Sequence, residues 1–159
     1  MPRIELCTEI KADIEIVFDL SRSIDLHTIS TEQTNETAIA GKTSGLIGLN
    51  ESVTWRAKHF GIYQQLTSKI TAFNRPTYFA DEMISGVFNR FKHEHYFSQV
   101  NGNTIMTDIF DYRSPLRLLG RLADKIFLER YITHLLEKRN QKIKEVAESD
   151  QWKQLLTNK

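Results

Sequence analysis

Apolar and polar positions alternate along the first strand-like segment of the chain. In residues 3–11, Ile4, Leu6 and Ile10 fall on one side. This period of two is typical of a half-buried β-strand. Apolar residues after Asp13 recur at helical spacing, and the Asp13 carboxylate can cap the short helix that they predict. A second short helix is predicted over residues 24–30. The chain therefore begins with a β-α-α order.

Strand patterns return at residue 37 and are separated by Gly, Asn or Pro. Six segments carry them: TAIAG, ESVTWRAKHF, IYQQLTSKITAF, TYFADEMIS, NRFKHEHYFSQV and NTIMTDIFDYR. Phe60-Gly61 and Asn101-Gly102 predict tight turns, since Asn-Gly suits the positive φ values of a type I′ hairpin. The neighbouring strands should be antiparallel. The glycine-rich residues 41–50 are either a mobile loop beside an opening or a plain connector.

A long helix completes the pattern. Ser114 and Pro115 supply an N-cap and a first helical residue, and an apolar stripe that includes Phe127 extends to Ile143 and Val146. The helix should run about 30 residues, or roughly 45 Å. The whole predicts an α+β helix-grip architecture in which a curved antiparallel sheet of about seven strands (β-α-α-β6-α) wraps the long C-terminal helix. We assign residues 1–148 to one domain and residues 149–159 to a tail.

Composition narrows the range of partners and the location. The chain has 21 Lys and Arg against 20 Asp and Glu, so no overall field favours nucleic acid or a membrane surface. The single cysteine, Cys7, excludes an internal disulfide, and a reducing compartment such as the cytoplasm is expected. The N-terminus lacks the apolar segment of a secretory signal or a membrane span. No integral membrane association is therefore expected.

Alternation also sorts each strand into an inner and an outer face. The inward set comprises Val53, Trp55, Ala57 and His59 on one strand, and Phe91, His93, His95 and Phe97 on another. If Asn101-Gly102 is a two-residue turn, three cross-strand pairs follow: Phe97 with Met106, His95 with Asp108, and His93 with Phe110. The inner face is therefore mostly aromatic with a few polar exceptions.

A second hairpin adds another carboxylate to this face. If the loop SGVFN closes symmetrically, Asp81 lies opposite His93 and Phe79 opposite His95. Two His–Asp pairs would then sit within an aromatic lining. They either orient the polar head of a ligand, since most small-molecule sites use a few polar groups in this way, or they are structural pairs that satisfy each other in the core or at a wet rim.

The pattern predicts neither a metal site nor a catalytic nucleophile. The H-x-H spacing also occurs in metal sites, and Asp81 or Asp108 could supply an oxygen ligand. However, the pattern places no third His or Cys, so neither a metal nor another cofactor is expected. Since Cys7 points outward and no Ser is placed beside the histidines, no catalytic triad is predicted.

Several strings resemble the SRPBCC superfamily, which includes START and Bet v 1-like proteins, and they are most similar to bacterial ligand-binding members. They are VFDLSRSIDLH (17–27), SGLIG (44–48), VTWRAKHFG (53–61), FADE (79–82), GVFNRFKHEHYF (86–97) and TDIFDYRSP (107–115). That subgroup usually has Gly-Pro-Phe and Trp where this chain has Gly86-Val87-Phe88 and Phe91. The resemblance implies a helix-grip fold with a cavity. His27, inside the first string, either faces the cavity mouth or is a buried cap.

The leading hypothesis is binding or carriage of a hydrophobic or amphipathic small molecule, either lipid-like or polyketide-like. The predicted ligand-binding residues are Trp55, His59, Phe79, Asp81, Phe91, His93, His95, Phe97, Met106, Asp108, Phe110 and His27. The alternative is a cyclase, dehydratase or hydrolase that uses a His–Asp pair, because the same fold hosts carriers and enzymes. A basic ridge of Arg117, Arg121 and Lys125 is either a contact for an anionic surface or a partner protein, or a solvated helix face.

Overall fold

Seven antiparallel strands form one sheet in the computed structural model, which describes residues 2–114 and 127–157. The strands are β1 (Arg3–Ile10), β2 (Thr37–Gly41), β3 (Ser52–His59), β4 (Ile62–Asn74), β5 (Tyr78–Ser85), β6 (Arg90–Val100) and β7 (Asn103–Arg113). Their order in the sheet is β1-β7-β6-β5-β4-β3-β2. The predicted meander is therefore confirmed, and β1 joins it beside the last strand.

In the described parts of the chain, two short α-helices and a 3-10 turn (Glu32–Thr34) connect β1 to β2, and two more α-helices follow the sheet. The α-helices are α1 (Ile14–Ser21), α2 (Ile24–Ser30), α3 (Glu129–Ala147) and α4 (Gln151–Thr157). The side chain of Asp13 accepts a hydrogen bond from the backbone N–H of Glu15 at 2.8 Å. The cap predicted for α1 is thus confirmed, and it satisfies one of the free N–H groups at the helix start.

Strand register agrees with the prediction on both sides of β6. The observed pairs are Phe97 with Met106, His95 with Asp108, His93 with Phe110, Asp81 with His93, and Phe79 with His95. Asn101 and Gly102 have φ values of 51° and 80°, as a type I′ turn requires. The turn sets the register, and the register decides which side chains reach the inner face.

The largest hydrophobic cluster lies where α1 covers the sheet. Phe18 of α1 makes edge-to-face contacts with Phe73, Phe79 and Phe97, with ring centroids 5.2–5.4 Å apart. Ile143 and Val146 of α3 belong to the same cluster, and Trp152 of α4 packs against it. The C-terminal tail therefore packs back on α1 and α3.

The long helix grips the sheet as the sequence predicts, giving an α+β helix-grip fold. Its described part covers 19 residues, Glu129–Ala147. The predicted helix start at Ser114-Pro115 borders residues 115–126, which lie outside the described residues. The basic ridge of Arg117, Arg121 and Lys125 lies in the same segment. Among the described residues, no helix combines the length and the apolar character that a membrane crossing requires.

Candidate ligand-binding cavity

A cavity of about 630 Å³ lies between the inner face of the sheet and the helices. Side chains of β3 to β7 form one wall, and residues of α1, α2 and α3 form the other. Most of the lining is apolar, with Ile24, Leu66 and Ile132 among its members. The volume falls in the usual range for small-molecule sites, about 300–1,000 Å³.

Nine of the twelve predicted ligand-binding residues line this cavity. They are His27, Trp55, His59, Phe79, Asp81, Phe91, His93, His95 and Phe110. The remaining three, Phe97, Met106 and Asp108, are buried but are not among the lining residues. His27, for which a position at the cavity mouth and a buried cap were both open, faces the cavity, and its ring is tilted against that of Trp55 with centroids 4.3 Å apart.

Phe97 and Met106 differ from the expectation that they form walls. Phe97 packs edge-to-face on Phe18 at 5.2 Å, and the sulfur of Met106 accepts a hydrogen bond from Oγ of Ser21 at 3.4 Å. Both point to the inner face as predicted, but α1 covers that end of the sheet. Strand alternation indicates which face a side chain joins, whereas the neighbouring element decides whether that face is core or cavity.

Asp108 is the centre of a buried polar network between β6, β7 and α3. Its Oδ1 lies 2.7 Å from Nδ1 of His95, 3.1 Å from Nε2 of His93 and 3.4 Å from Nη1 of Arg139. Its Oδ2 accepts a hydrogen bond from Nδ2 of Asn140 at 2.7 Å. Four groups thus surround one carboxylate, which fits the rule that buried charges are paired and hydrogen-bonded.

The two histidines share Asp108 rather than forming two separate His–Asp pairs. Asp81 lies opposite His93 in the register, but its Oδ1 contacts Nε2 of His95 at 3.3 Å. The two imidazole rings are close, with centroids 3.9 Å apart. We call Asp81, His93, His95 and Asp108 the aspartate–histidine cluster. Its members form one connected chain, and all except Asp108 line the cavity.

Charge within the aspartate–histidine cluster follows from these contacts. Burial opposes ionisation of Asp108, but hydrogen bonds from His93 and His95 outweigh it and hold the pKa of Asp108 well below its usual value. Burial likewise opposes ionisation of Asp81, and the contact with His95 leaves the pKa of Asp81 lowered. Burial lowers the pKa of His93 to about 4, and the nearby His95 adds to this effect. Both carboxylates are therefore ionised, and His93 is neutral, near pH 7.

Arg139 and Asn140 belong to this polar network, and sequence analysis missed both. Nη2 of Arg139 also donates to the backbone oxygen of Ser21 at 2.9 Å, which links α3 to α1. Both residues lie in the polar string EKRNQK, which looks like a solvated helix face. A signal was present, because Ile132, Arg139 and Ile143 recur at helical spacing and share the buried side of α3.

A second polar group lies between α2 and the residues before β2. Nε2 of His27 is 3.4 Å from Oε2 of Glu36, a close contact that falls outside hydrogen-bond geometry. Burial opposes ionisation of Glu36, but the neighbouring His27 leaves the pKa of Glu36 lowered. Glu36 was not among the predicted residues, because it lies just before a strand, in a stretch with no clear periodicity.

His59 joins the sheet to α3 across the cavity. Its Nδ1 lies 2.8 Å from Oη of Tyr131. Burial lowers the pKa of His59 and raises the pKa of Tyr131, so near neutral pH the phenol can donate to the imidazole. Tyr131 was also missed by sequence analysis, since one Tyr on a long helix carries no signal of a cross-cavity bond.

Exposed aromatic side chains show where the cavity meets solvent. Phe60 and Phe127 line the cavity, yet they are 56% and 57% exposed. Both contact Tyr131, with ring centroids 4.7 and 6.4 Å away. We call Phe60, Phe127 and Tyr131 the aromatic rim. Phe127 was predicted to continue the buried stripe of the helix, but it lies on this rim instead.

The glycine-rich segment after β2 forms part of the wall near α2. Its Gly45 oxygen accepts a hydrogen bond from the N–H of Ile24 at 2.9 Å. The N–H of Ile47 donates to the backbone oxygen of Arg22 at 3.1 Å, and the Ile47 side chain is buried and lines the cavity. Backbone bonds therefore tie this segment to the two short helices.

Neither a protein-family model nor a curated protein sequence matches this chain. Solved structures do match it. A protein of Thermus thermophilus has a TM-score of 0.70 at 15% identity, covering 89% of this chain and 97% of that one. A START superfamily protein from Mycobacterium smegmatis has a TM-score of 0.69 at 10% identity, covering 91% and 98%. Ginseng major latex-like protein 151 from Panax ginseng has a TM-score of 0.67 at 14% identity, covering 92% and 97%.

These likenesses define the fold class. The chain has the helix-grip fold of the SRPBCC superfamily, to which START and Bet v 1-like proteins belong, and the resemblance predicted from the sequence is confirmed at the level of the fold. At 10–15% identity the comparisons carry no information about the ligand. Function has to be argued from the cavity itself.

Proposed function

We propose that the protein binds or carries a hydrophobic or amphipathic small molecule, lipid-like or polyketide-like, in its internal cavity. The observation that carries this proposal is a space of about 630 Å³ with mostly apolar walls and a few converging polar groups. Empty apolar volume inside a small domain costs stability, because the lining atoms lose contacts. A resident guest restores those contacts.

The apolar part of the guest would contact the aromatic walls. Trp55, Phe79 and Phe91 are buried from solvent yet line the cavity. Covering apolar surface stabilises a complex by about 25 cal/mol for each Å² removed from water. The walls therefore supply most of the binding free energy, and they favour a guest with an extended apolar body.

Polar groups would orient one end of the guest. Arg139 and the aspartate–histidine cluster offer donors and acceptors on the inner wall, and His59 with Tyr131 offers them near the aromatic rim. A carboxyl, hydroxyl or keto group on the guest can replace water at either place. With one cysteine in the chain, a reducing compartment such as the cytoplasm is the proposed location.

A matched pair of substitutions tests this proposal. Ala57 of β3 is buried and lines the cavity, whereas Ala40 of β2 is exposed. We expect Ala57→Phe to weaken binding of the amphipathic fluorescent probe anilinonaphthalene sulfonate at least tenfold, because the added ring fills the cavity. Ala40→Phe should bind like the wild type. Equal affinities for the two variants, with both folded by circular dichroism, would remove the proposal.

Native mass spectrometry of freshly purified protein gives a second readout. We expect the native protein to carry the extra mass of a bound apolar molecule, which is lost under denaturing conditions. Extraction then identifies the compound. A screen of fatty acids and aromatic polyketide-like compounds should then contain ligands that compete with the fluorescent probe. If a bound compound is converted into a product, the enzyme hypothesis replaces that of a carrier.

A further inference from the structure

Three side chains with metal-ligand atoms converge on the inner wall of the cavity. His93 and His95 alternate along β6 and so share one face, and Asp81 lies on the neighbouring strand β5. One ligand atom from each residue lies within 4.8 Å of the others. Two imidazoles and a carboxylate form a donor set that zinc, iron and cobalt ions accept in proteins.

Asp108 sets which nitrogen of each ring is available. An ionised carboxylate can only accept hydrogen bonds, so Nε2 of His93 and Nδ1 of His95 must donate to Oδ1 of Asp108. In a neutral imidazole the other nitrogen then carries a lone pair. Metal-binding histidines typically have this arrangement, with a carboxylate holding the ring nitrogen that does not bind the ion.

The contact between His95 and Asp81 has the length expected for two ligands of one ion. Nε2 of His95 lies 3.3 Å from Oδ1 of Asp81. Two ligands at about 2.0–2.1 Å from one tetrahedral ion are roughly 3.3 Å apart, so these two atoms can bind the same ion.

We propose that Asp81, His93 and His95 bind one divalent transition-metal ion of the zinc class, with Asp108 as the residue that orients both imidazoles. Three protein ligands leave at least one coordination position facing the cavity, as in open zinc sites. An oxygen of a guest can occupy that position. The site goes beyond the binding of an apolar molecule and does not depend on it.

Metal titration of the whole protein tests the site. After dialysis against a chelator, Zn²⁺ is added in competition with a chromophoric chelator, and Co²⁺ is added while its visible absorption is recorded. We expect one saturable site per chain and a Co²⁺ spectrum of low coordination number. Asp81→Ala and His93→Ala should each weaken Zn²⁺ binding at least 100-fold.

Two controls separate this site from other metal-binding side chains. His134 is exposed on α3, and Cys7 is exposed on β1, so His134→Ala and Cys7→Ser should bind Zn²⁺ as the wild type does. Binding that is lost in either control but kept in Asp81→Ala would overturn the proposal. The absence of saturable binding in the wild type would overturn it as well.

Loss of folding and simple protonation are distinguished by two further measurements. Asp81→Ala leaves the four contacts of Asp108 in place, so its circular dichroism and thermal unfolding should match those of the metal-free wild type. Nitrogen-15 NMR of the imidazoles should show Zn²⁺ bound to Nε2 of His95. If Nε2 of His95 carries a proton at saturating Zn²⁺, the metal proposal fails.

The metal test and the ligand test fail independently. Ala57→Phe should lose affinity for anilinonaphthalene sulfonate but retain Zn²⁺ binding, because Ala57 supplies no ligand atom to the site. Conversely, dialysis of the wild type against a chelator should remove Zn²⁺ while the apolar walls still bind the probe. Loss of Zn²⁺ binding in Ala57→Phe, or loss of probe binding in the metal-free wild type, would contradict the separation of the two sites.

Discussion

Nδ2 of Asn140 on α3 lies 2.7 Å from Oδ2 of Asp108 on β7, and both side chains are buried. This hydrogen bond ties the long helix to β7, the second strand from one edge of the sheet. Arg139 contacts the same carboxylate from the adjacent helical position. The helix is therefore held against the sheet by polar contacts as well as by its apolar stripe, beside a cavity that reduces hydrophobic contact between the two layers.

Asn140→Ala should lower the free energy of unfolding by about 1–3 kcal/mol, because Oδ2 of a buried carboxylate loses its donor. Urea unfolding followed by circular dichroism measures the change. Gln141, the next residue along α3, is exposed, and Gln141→Ala should change the free energy of unfolding by less than about 0.5 kcal/mol. Similar losses in the two variants would contradict the role of Asn140 in holding the helix.

Tyr131→Phe should speed the release of a bound guest. The substitution keeps the ring in the aromatic rim but removes the 2.8 Å bond to Nδ1 of His59, which spans the cavity. Loss of one hydrogen bond of about 1 kcal/mol corresponds to a roughly fivefold faster release. Stopped-flow displacement of anilinonaphthalene sulfonate measures the rate. Tyr63→Phe, on the exposed face of β4, should leave it unchanged, and equal rates in the two variants would count against a closing role.

Acid should destabilise the protein partly through His59. Burial lowers the pKa of His59, although Glu36 opposes the effect. Below the usual histidine pKa of about 6.5, the unfolded chain takes up a proton that folded His59 resists. Stability from this residue is therefore present above about pH 6.5 and is lost as the pH falls through the lower, folded pKa.

His59→Gln should accordingly make the thermal midpoint less sensitive to pH. Melting curves recorded between about pH 7 and pH 5 give the slope of the midpoint for the wild type and the variant. A shallower slope in His59→Gln is expected. An identical slope would show that the neutral form of His59 is not favoured by folding.

Gly41→Ala should destabilise the fold more than an alanine at another left-handed glycine. Gly41 has a φ of +72°, and an added Cβ would overlap the backbone oxygen of Ser52. Gly102 has a φ of +80° with no atom within 4 Å of its Cβ position. Left-handed backbone alone costs about 1–2 kcal/mol, so Gly102→Ala should lose that much and Gly41→Ala distinctly more. Equal losses in urea unfolding would contradict the close approach at Gly41.

Strand pairing could be predicted in detail because two local signals agreed. Period-two alternation assigned the faces of β6 and β7, and the Asn101-Gly102 turn set their register. Shifting that register by one residue would turn His93 and His95 outward. The turn and the apolar pattern thus select the same pairing, and the neighbours of the two histidines within the sheet followed from them.

Contacts between elements could not be predicted from the same signals. Phe97 and Met106 share the inner face with His95, yet α1 covers the first two and the cavity borders the third. Arg139 and Asn140 look like surface residues in a polar string until the helix is docked on the sheet. No local pattern states how far a helix stands from the strand that it faces.

The sequence alone determined the α+β order of elements, the hairpin register and the set of side chains on the inner face. These features depend on residues close in the chain or on a strict period of two. Only the tertiary structure decided that one carboxylate, Asp108, serves both histidines and that α3 supplies Arg139 and Asn140 to it. It also decided where the cavity lies. Those features depend on the distance and rotation between packed layers, which arise from the packing of all the side chains together.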